Sequence, residues 1–173
     1  MPAEYVIVSA SRKPKSRSRL MAAFLLEYYR AQRLEAALLD LRDVTLPFCD
    51  GDAAYGHPES VRCTAFLAEA RVIIVATPVY NYDVNAAVKN LVELTGRSWE
   101  NKVVGFVCAA GGLGSYMAVM SFANSLMLDF RCLVIPRFVY ATSDDFQDDR
   151  ISAEKIKQRL AELGEASVLV RYG

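Results

Sequence analysis

Histidine is almost missing from this sequence: His57 is the single one among 173 residues. That scarcity removes the common zinc-ligand sets and the histidine general bases of hydrolases. H-E-x-x-H, the C-x5-R phosphatase loop and the G-x-S-x-G nucleophile elbow are all absent. The four cysteines, Cys49, Cys63, Cys108 and Cys132, form no C-x-x-C pair. They read as packing residues in a reducing cytoplasm, with neither a disulfide nor a metal site expected. Net charge is missing too. Lys plus Arg and Asp plus Glu stand at 20 each, so no global field selects a nucleic acid or an anionic membrane. No apolar run reaches the ~18 residues of a spanning helix, and MPAEYVIVSA lacks the basic-then-apolar layout of a signal peptide. The reading is a soluble cytoplasmic chain without nucleic-acid or membrane partners.

What is present is alternation. Residues 1–173 carry 53% hydrophobic residues, enough for the core of a single domain. Short β-branched runs predict strands at Tyr5–Val8, Ala36–Leu41, Val72–Ala76, Lys102–Ala110 and Cys132–Ile135. Between and after them, apolar residues recur at helical spacing: Leu20, Met21, Phe24, Leu25 and Tyr28, then Glu59–Glu69, then Val84, Ala87, Val88, Leu91 and Leu94. Two more helices are expected from about Ser115 to Asp129 and from Ile151 to about Leu163. Pro47–Pro58 reads as a long surface loop. Strict strand–helix alternation with right-handed crossovers makes a doubly wound α/β/α sandwich, here with five parallel strands in the order 2-1-3-4-5. A ligand then binds beyond the carboxyl ends of the strands, where strands 1 and 3 diverge.

Three loops reach that place. The first, SASRKPKSRSR, has five basic residues and no acid, yet it opens a helix. Cations oppose the dipole there, whereas a bound anion reverses the sign. Free N–H groups at a helix start, with Ser9, Ser11, Ser16 and Ser18 and an arginine, suit a phosphomonoester. A solvated basic loop with Ser16 or Ser18 as an ordinary N-cap is the competing account. The second loop, TPVYNYD, offers Tyr80 and Tyr82 around Asn81, groups fit for the faces and edge of a planar heteroaromatic ring; the alternative is a tight turn packed on its neighbours. The third, AAGGLGS, allows close backbone approach to a ligand. It does not complete a dinucleotide G-x-G-x-x-G, because Met117 stands at the third glycine.

These segments resemble the NADPH-dependent FMN reductase family, flavodoxin-like enzymes that include flavin, quinone, azo and chromate reductases. ATPVYNYDVNAAVKNLVEL carries most of the likeness, followed by WENKVV leading into AAGG, and then S-x-S-R-x-P-x-S-x-S. The resemblance implies FMN as cofactor, with NADPH or NADH as co-substrate and a small-molecule electron acceptor. It implies that Arg12, Ser16 and Ser18, with Ser9, Ser11 and Arg17 beside them, hold the FMN phosphate. Pro78, Val79, Tyr80, Asn81 and Tyr82 would run along the isoalloxazine, and Gly111, Gly112 and Leu113 would close over its far edge. Ser9-Ala10 stands where many members have Gly-Ser, and Ser18 where many have Asn.

No catalytic side chain is required, because the flavin itself accepts and donates hydride. The resemblance also implies a homo-oligomer, a dimer or a tetramer. The expected fourth helix agrees with it: Met117, Val119, Met120, Phe122, Leu126, Met127 and Leu128 exceed one core-facing stripe. A flavodoxin-type electron carrier is the runner-up, opposed by the zero net charge and the absence of T-x-T-G-x-T. A receiver-like signalling domain is opposed by Ser9 and Thr77, which stand where it needs acids. Arg137, Asp144 and Asp145 are expected on the loop after the fifth strand.

Overall fold

In the computed structural model, which describes residues 3–172, the run Tyr5–Ser9 forms β1, an inner strand of the sheet. β1 pairs in parallel with β2, Ala36–Asp40, on one side and with β3, Val72–Tyr80, on the other. After β3 the chain turns back through β4, Asp83–Val84, and beyond it β5, Val103–Ala109, lies parallel to β3. The first seven residues of β3 and all seven of β5 are buried, as unbroken apolar strands covered on both faces must be.

Helices cover the two faces unequally. On one face lie α1, Arg17–Ala31, and the last helix of the chain; on the other lie α2, Pro58–Ala68, α3, Ala86–Thr95, and α4, Met120–Phe130. Strand alternation divides the core: Tyr5, Ile7 and Ile74 meet Met21, Leu25 and Tyr29 of α1, while Val6, Val8 and Ile73 share the opposite cluster with Leu67, Val88 and Leu126. At the centre, Gly105 is opposite Ile74. A Cβ on Gly105 would sit 2.7 Å from Ile74 Cδ1 and 3.1 Å from Leu163 Cδ1, so the helix packs this close because the strand has no side chain there.

The expected order 2-1-3-4-5 is present, with a difference in its fifth position. That strand consists of two short segments, β6, Leu133–Val134, and β7, Val139–Ala141, each parallel to β5, and among the described residues the sheet counts seven strands. Between them stand Pro136, which has no N–H to donate, and Arg137, at φ +63°. The fifth strand thus runs to Ala141 rather than Ile135, and Arg137 lies in its interruption, not after it.

Two helices start later than their sequence pattern predicts. α4 begins at Met120, not Ser115, because Leu113–Ser115 forms a single 3-10 turn, three-residue turn bonds continue from Tyr116, Ala118 and Met120 to the carbonyls of Leu113, Ser115 and Met117, and no side chain caps the segment. Ile151 belongs to a hairpin of β8, Phe146–Gln147, and β9, Arg150–Ile151. The final helix α5 then spans Glu154–Leu169. The carbonyl of Asp145 accepts from Ser152 N–H at 2.9 Å and Ala153 N–H at 3.3 Å, which keeps that stretch out of the helix. Among the described residues no helix is long and apolar enough to cross a membrane.

Candidate functional site

The carboxyl ends of β1, β3 and β5 open into a cleft of about 970 Å³. One end is built by the first loop. Ser16 adopts extended φ/ψ and caps α1, its Oγ accepting from Arg19 N–H at 3.3 Å and lying 3.0 Å from Ser18 Oγ. Both serines are buried, and the first turn of α1 carries no acid. The N–H groups of Arg17 and Ser18 donate to no acceptor among the described residues. They are orphans of the helix start, at its positive end, in the wall of the cleft. Ser9, expected beside the phosphate, is fully buried at the end of β1 with its Oγ unpartnered and lies outside the cleft lining, which begins at Ser11. Orphan donors, hydroxyls and cations in one wall are the donor set a phosphate requires.

The basic residues divide by what already holds them. Arg12 was expected in this wall; instead its Nη1 donates to the carbonyls of Leu41 at 2.9 Å and Val44 at 3.2 Å, and it is not among the cleft-lining residues. These carbonyls lie just past the end of β2 and would otherwise compete for water. Arg19, though it lines the cleft, is engaged by Asp40, which Arg42 also meets at 3.1 Å. Burial alone would raise the pKa of Asp40, but hydrogen bonds from Arg19 and Arg42 outweigh it and hold the carboxyl below its ordinary value. Arg17 remains in the cleft wall, donating to Ser143 Oγ at 2.8 Å with its guanidinium 5.7 Å above the Phe146 ring. Lys15 meets Asp149 at 3.0 Å across the cleft rim.

The second expected loop is mostly strand. Thr77–Tyr80 continues β3, and Asn81 and Tyr82, at φ +53° and +64°, make the two-residue turn into β4. This pairing matches the twist of a hairpin and requires left-handed dihedrals at both positions. Pro78, Val79 and Tyr80 line the cleft, while Asn81 and Tyr82 sit at the exposed turn outside its lining. Beneath them, buried Asn85 donates through Nδ2 to the carbonyl of Ala10 at 2.7 Å, and Thr77 Oγ1 lies 3.2 Å from Asn85 Oδ1. This network ties the first loop to the second.

The third loop contributes Ala109, Ala110 and Gly111 to the lining, whereas Gly112 and Leu113 lie beyond it, Leu113 being 76% exposed. Tyr140 donates its hydroxyl to the Gly112 carbonyl at 2.6 Å, and Ser143 Oγ reaches the Gly111 carbonyl at 3.4 Å. Burial raises the Tyr140 pKa, which favours the protonated donor. Burial also pushes the thiols of Cys108 to about 12 and Cys132 to about 11, so neither supplies a thiolate at neutral pH.

A fourth wall was not foreseen. Phe146, Gln147, Asp148 and Asp149 of the β8–β9 hairpin line the cleft. Asp148 and Asp149, at φ +48° and +57°, form its turn. A D-D pair between two-residue strands is a much weaker hairpin signal than N-G or D-G. Asp145 caps this segment from within, accepting from Thr142 N–H at 2.8 Å and pairing with Lys155 at 3.0 Å. Its carboxylate is engaged there, not in the cleft.

The arrangement gathers orphan helix-start N–H groups, serine hydroxyls and the Arg17 guanidinium at one end of an open cleft, a donor set suited to an anion. Fold and cleft together define a flavodoxin-like α/β/α protein, and comparison with known proteins agrees. The architecture superposes on FerB, an NAD(P)H:(acceptor) oxidoreductase flavoenzyme from Paracoccus denitrificans, at TM-score 0.79 and 20% identity, covering 96% of this chain and 95% of that one. It also superposes on an archaeal flavodoxin at TM-score 0.65 and 14% identity, over 97% and 99% of the two chains. In sequence it is 28% identical over 133 residues to the NAD(P)H-dependent FAD/FMN reductase of Geobacillus thermodenitrificans, covering 75% of this chain and 72% of that relative. It is 26% identical over 162 residues to the NADH-dependent FMN reductase SfnF of Pseudomonas fluorescens, covering 92% and 87%. The family model for NADPH-dependent FMN reductase matches residues 4–147. The chain belongs to that family.

Proposed function

We propose that the cleft seats FMN with its phosphate at the Ser11–Arg19 end and its ring along Pro78–Tyr80 and Ala109–Gly111. The nicotinamide of NADPH or NADH and the acceptor would then use the remaining open side in turn. The observation that carries this reading is the start of α1: orphan N–H groups of Arg17 and Ser18 beside Ser16 and the Arg17 guanidinium, at one end of a cleft on the strands' carboxyl edge. When bound, FMN supplies the two-electron chemistry of an NAD(P)H-dependent oxidoreductase, accepting hydride from the nicotinamide and reducing a flavin, quinone or similar small molecule.

This chain's residues do the positioning. Tyr140 and Ser143 fix the carbonyls of the glycine loop, so its N–H groups stay available to a ring edge. Asn85 and Thr77 set the distance between the phosphate end and the β3 wall. Arg17 replaces Arg12 as the arginine beside the phosphate, with Lys15 at the rim.

Met117, Met120, Met127 and Leu128 remain exposed along and just before α4, while Val119, Phe122 and Leu126 are buried. A second copy of the chain covering these residues would make a homodimer, or pairs of dimers, next to the cleft. A cytoplasmic setting fits the reduced cysteines. The test is a visible spectrum with added FMN, followed by anaerobic NADPH and NADH. The reading expects bound-flavin absorbance that bleaches with a nicotinamide. Binding without bleaching would make the protein an electron carrier, and no binding would end the reading.

A further inference from the structure

The β8–β9 hairpin is the one wall of the cleft that comes from neither a β1, β3 or β5 end nor the start of α1. Its base is fixed. The Asp145 carboxylate accepts from the Thr142 N–H and hydroxyl and pairs with Lys155, while the Asp145 carbonyl accepts from Ser152 and Ala153. Its tip is different in kind. Asp148 and Asp149 are left-handed aspartates, a conformation tolerated by Asp at modest cost. The tip's ion pair runs to Lys15 on the phosphate loop, at 3.0 Å.

Phe146 lies under the Arg17 guanidinium, and Asp149 at the tip meets Lys15, so the ribbon touches the first loop and the start of α1 at both its base and its tip. Lys15 and Asp149 are 78% and 61% exposed. An ion pair so open to water is weak and salt-sensitive. A firmly anchored ribbon with a weakly held tip has the mechanics of a strap with a catch.

Resting on the FMN reading above, we propose that this hairpin is a strap retaining the flavin phosphate, and that the Lys15–Asp149 pair is its catch. Asp149 is a positioning residue: it acts by holding Lys15 and the hairpin tip together at the rim, and the opening of this pair limits how fast flavin leaves. The strap governs whether flavin stays as a bound group or exchanges between turnovers.

The test follows FMN fluorescence as flavin-loaded protein releases its ligand on dilution, for the wild type and Asp149→Asn, at low and high salt. The strap predicts release about three- to fivefold faster for Asp149→Asn at low salt, the span an exposed ion pair provides. Asn tolerates the left-handed dihedral as Asp does, so the turn is kept, and the gap closes at about 0.5 M salt as the pair is screened. Equal rates at low salt overturn the strap. Slower release from Asp149→Asn also overturns it, because the carboxylate would then be competing with the phosphate for Lys15. If neither wild type nor variant takes up FMN, the flavin reading fails and the strap with it, an outcome distinct from flavin that binds and leaves at equal rates.

Discussion

The α1 end of the cleft and its outer rim are built on opposite principles. At the α1 end, several polar side chains are buried and bonded, leaving the helix-start N–H groups free among the described residues: Ser16 and Ser18 bond to each other, Asn85 holds Ala10, and Asp40 holds Arg19 and Arg42. At the β3–β4 turn and past the glycine loop, outside the cleft lining, large apolar groups face solvent, with Leu113 at 76%, Tyr82 at 56% and Met117 at 49% exposure. Burial and hydrogen bonds fix position, whereas an open apolar rim leaves access and allows several flat partners. The difference suits a site that must hold one ligand in place while two others visit.

The sharpest way to break the comparison is Arg17→Asp. An acid in the first turn favours the helix by about 0.3–1 kcal/mol, so the apo melting temperature should hold or rise. A charge-assisted phosphate contact is lost and a repulsion gained, so FMN affinity should fall by more than about 100-fold. Calorimetry and fluorescence titration would read the two separately. Next is Asn85→Ala, which leaves the Ala10 carbonyl buried without its donor. It should cost about 1–3 kcal/mol in urea unfolding.

Asp40 adds a pH signature. Its pKa is lowered in the folded state, so it stabilises the fold above the ordinary carboxyl pKa, and that contribution disappears as pH falls through the folded value. Unfolding between pH 7 and 3 should therefore show a shallower acid loss in Asp40→Asn than in the wild type, from a lower starting stability. The smallest effect belongs to the open end. Met120→Ser should change stability by no more than about 0.5 kcal/mol and leave FMN affinity unchanged. If a second copy covers α4, the same variant shifts sedimentation from dimer toward monomer.

Much of this was legible in the sequence, for identifiable reasons. Val72–Ala76 and Val103–Ala110 are apolar throughout, so the central parallel strands were unambiguous, and the basic loop opening α1 breaks the dipole rule conspicuously enough to single out the helix start that lines the cleft. Arg12 was misplaced because composition counts cations but does not show which carbonyls need them; Leu41 and Val44 claim this one through the fold. The β8–β9 hairpin escaped because two-residue strands leave no periodicity and Asp148-Asp149 lacks the glycine that usually marks such a turn. The late start of α4 was hidden by Met117 and Val119, whose helical spacing continues a stripe through a segment that successive turns and a missing cap keep irregular.

The central claim is that the start of α1 recognises a phosphate, and the most direct measurement compares FMN with riboflavin, which differ only by that group. Fluorescence titration at one fixed salt concentration should give FMN an affinity at least about 100-fold above riboflavin, with the gap shrinking as salt rises. Equal affinities for the two flavins would contradict the account.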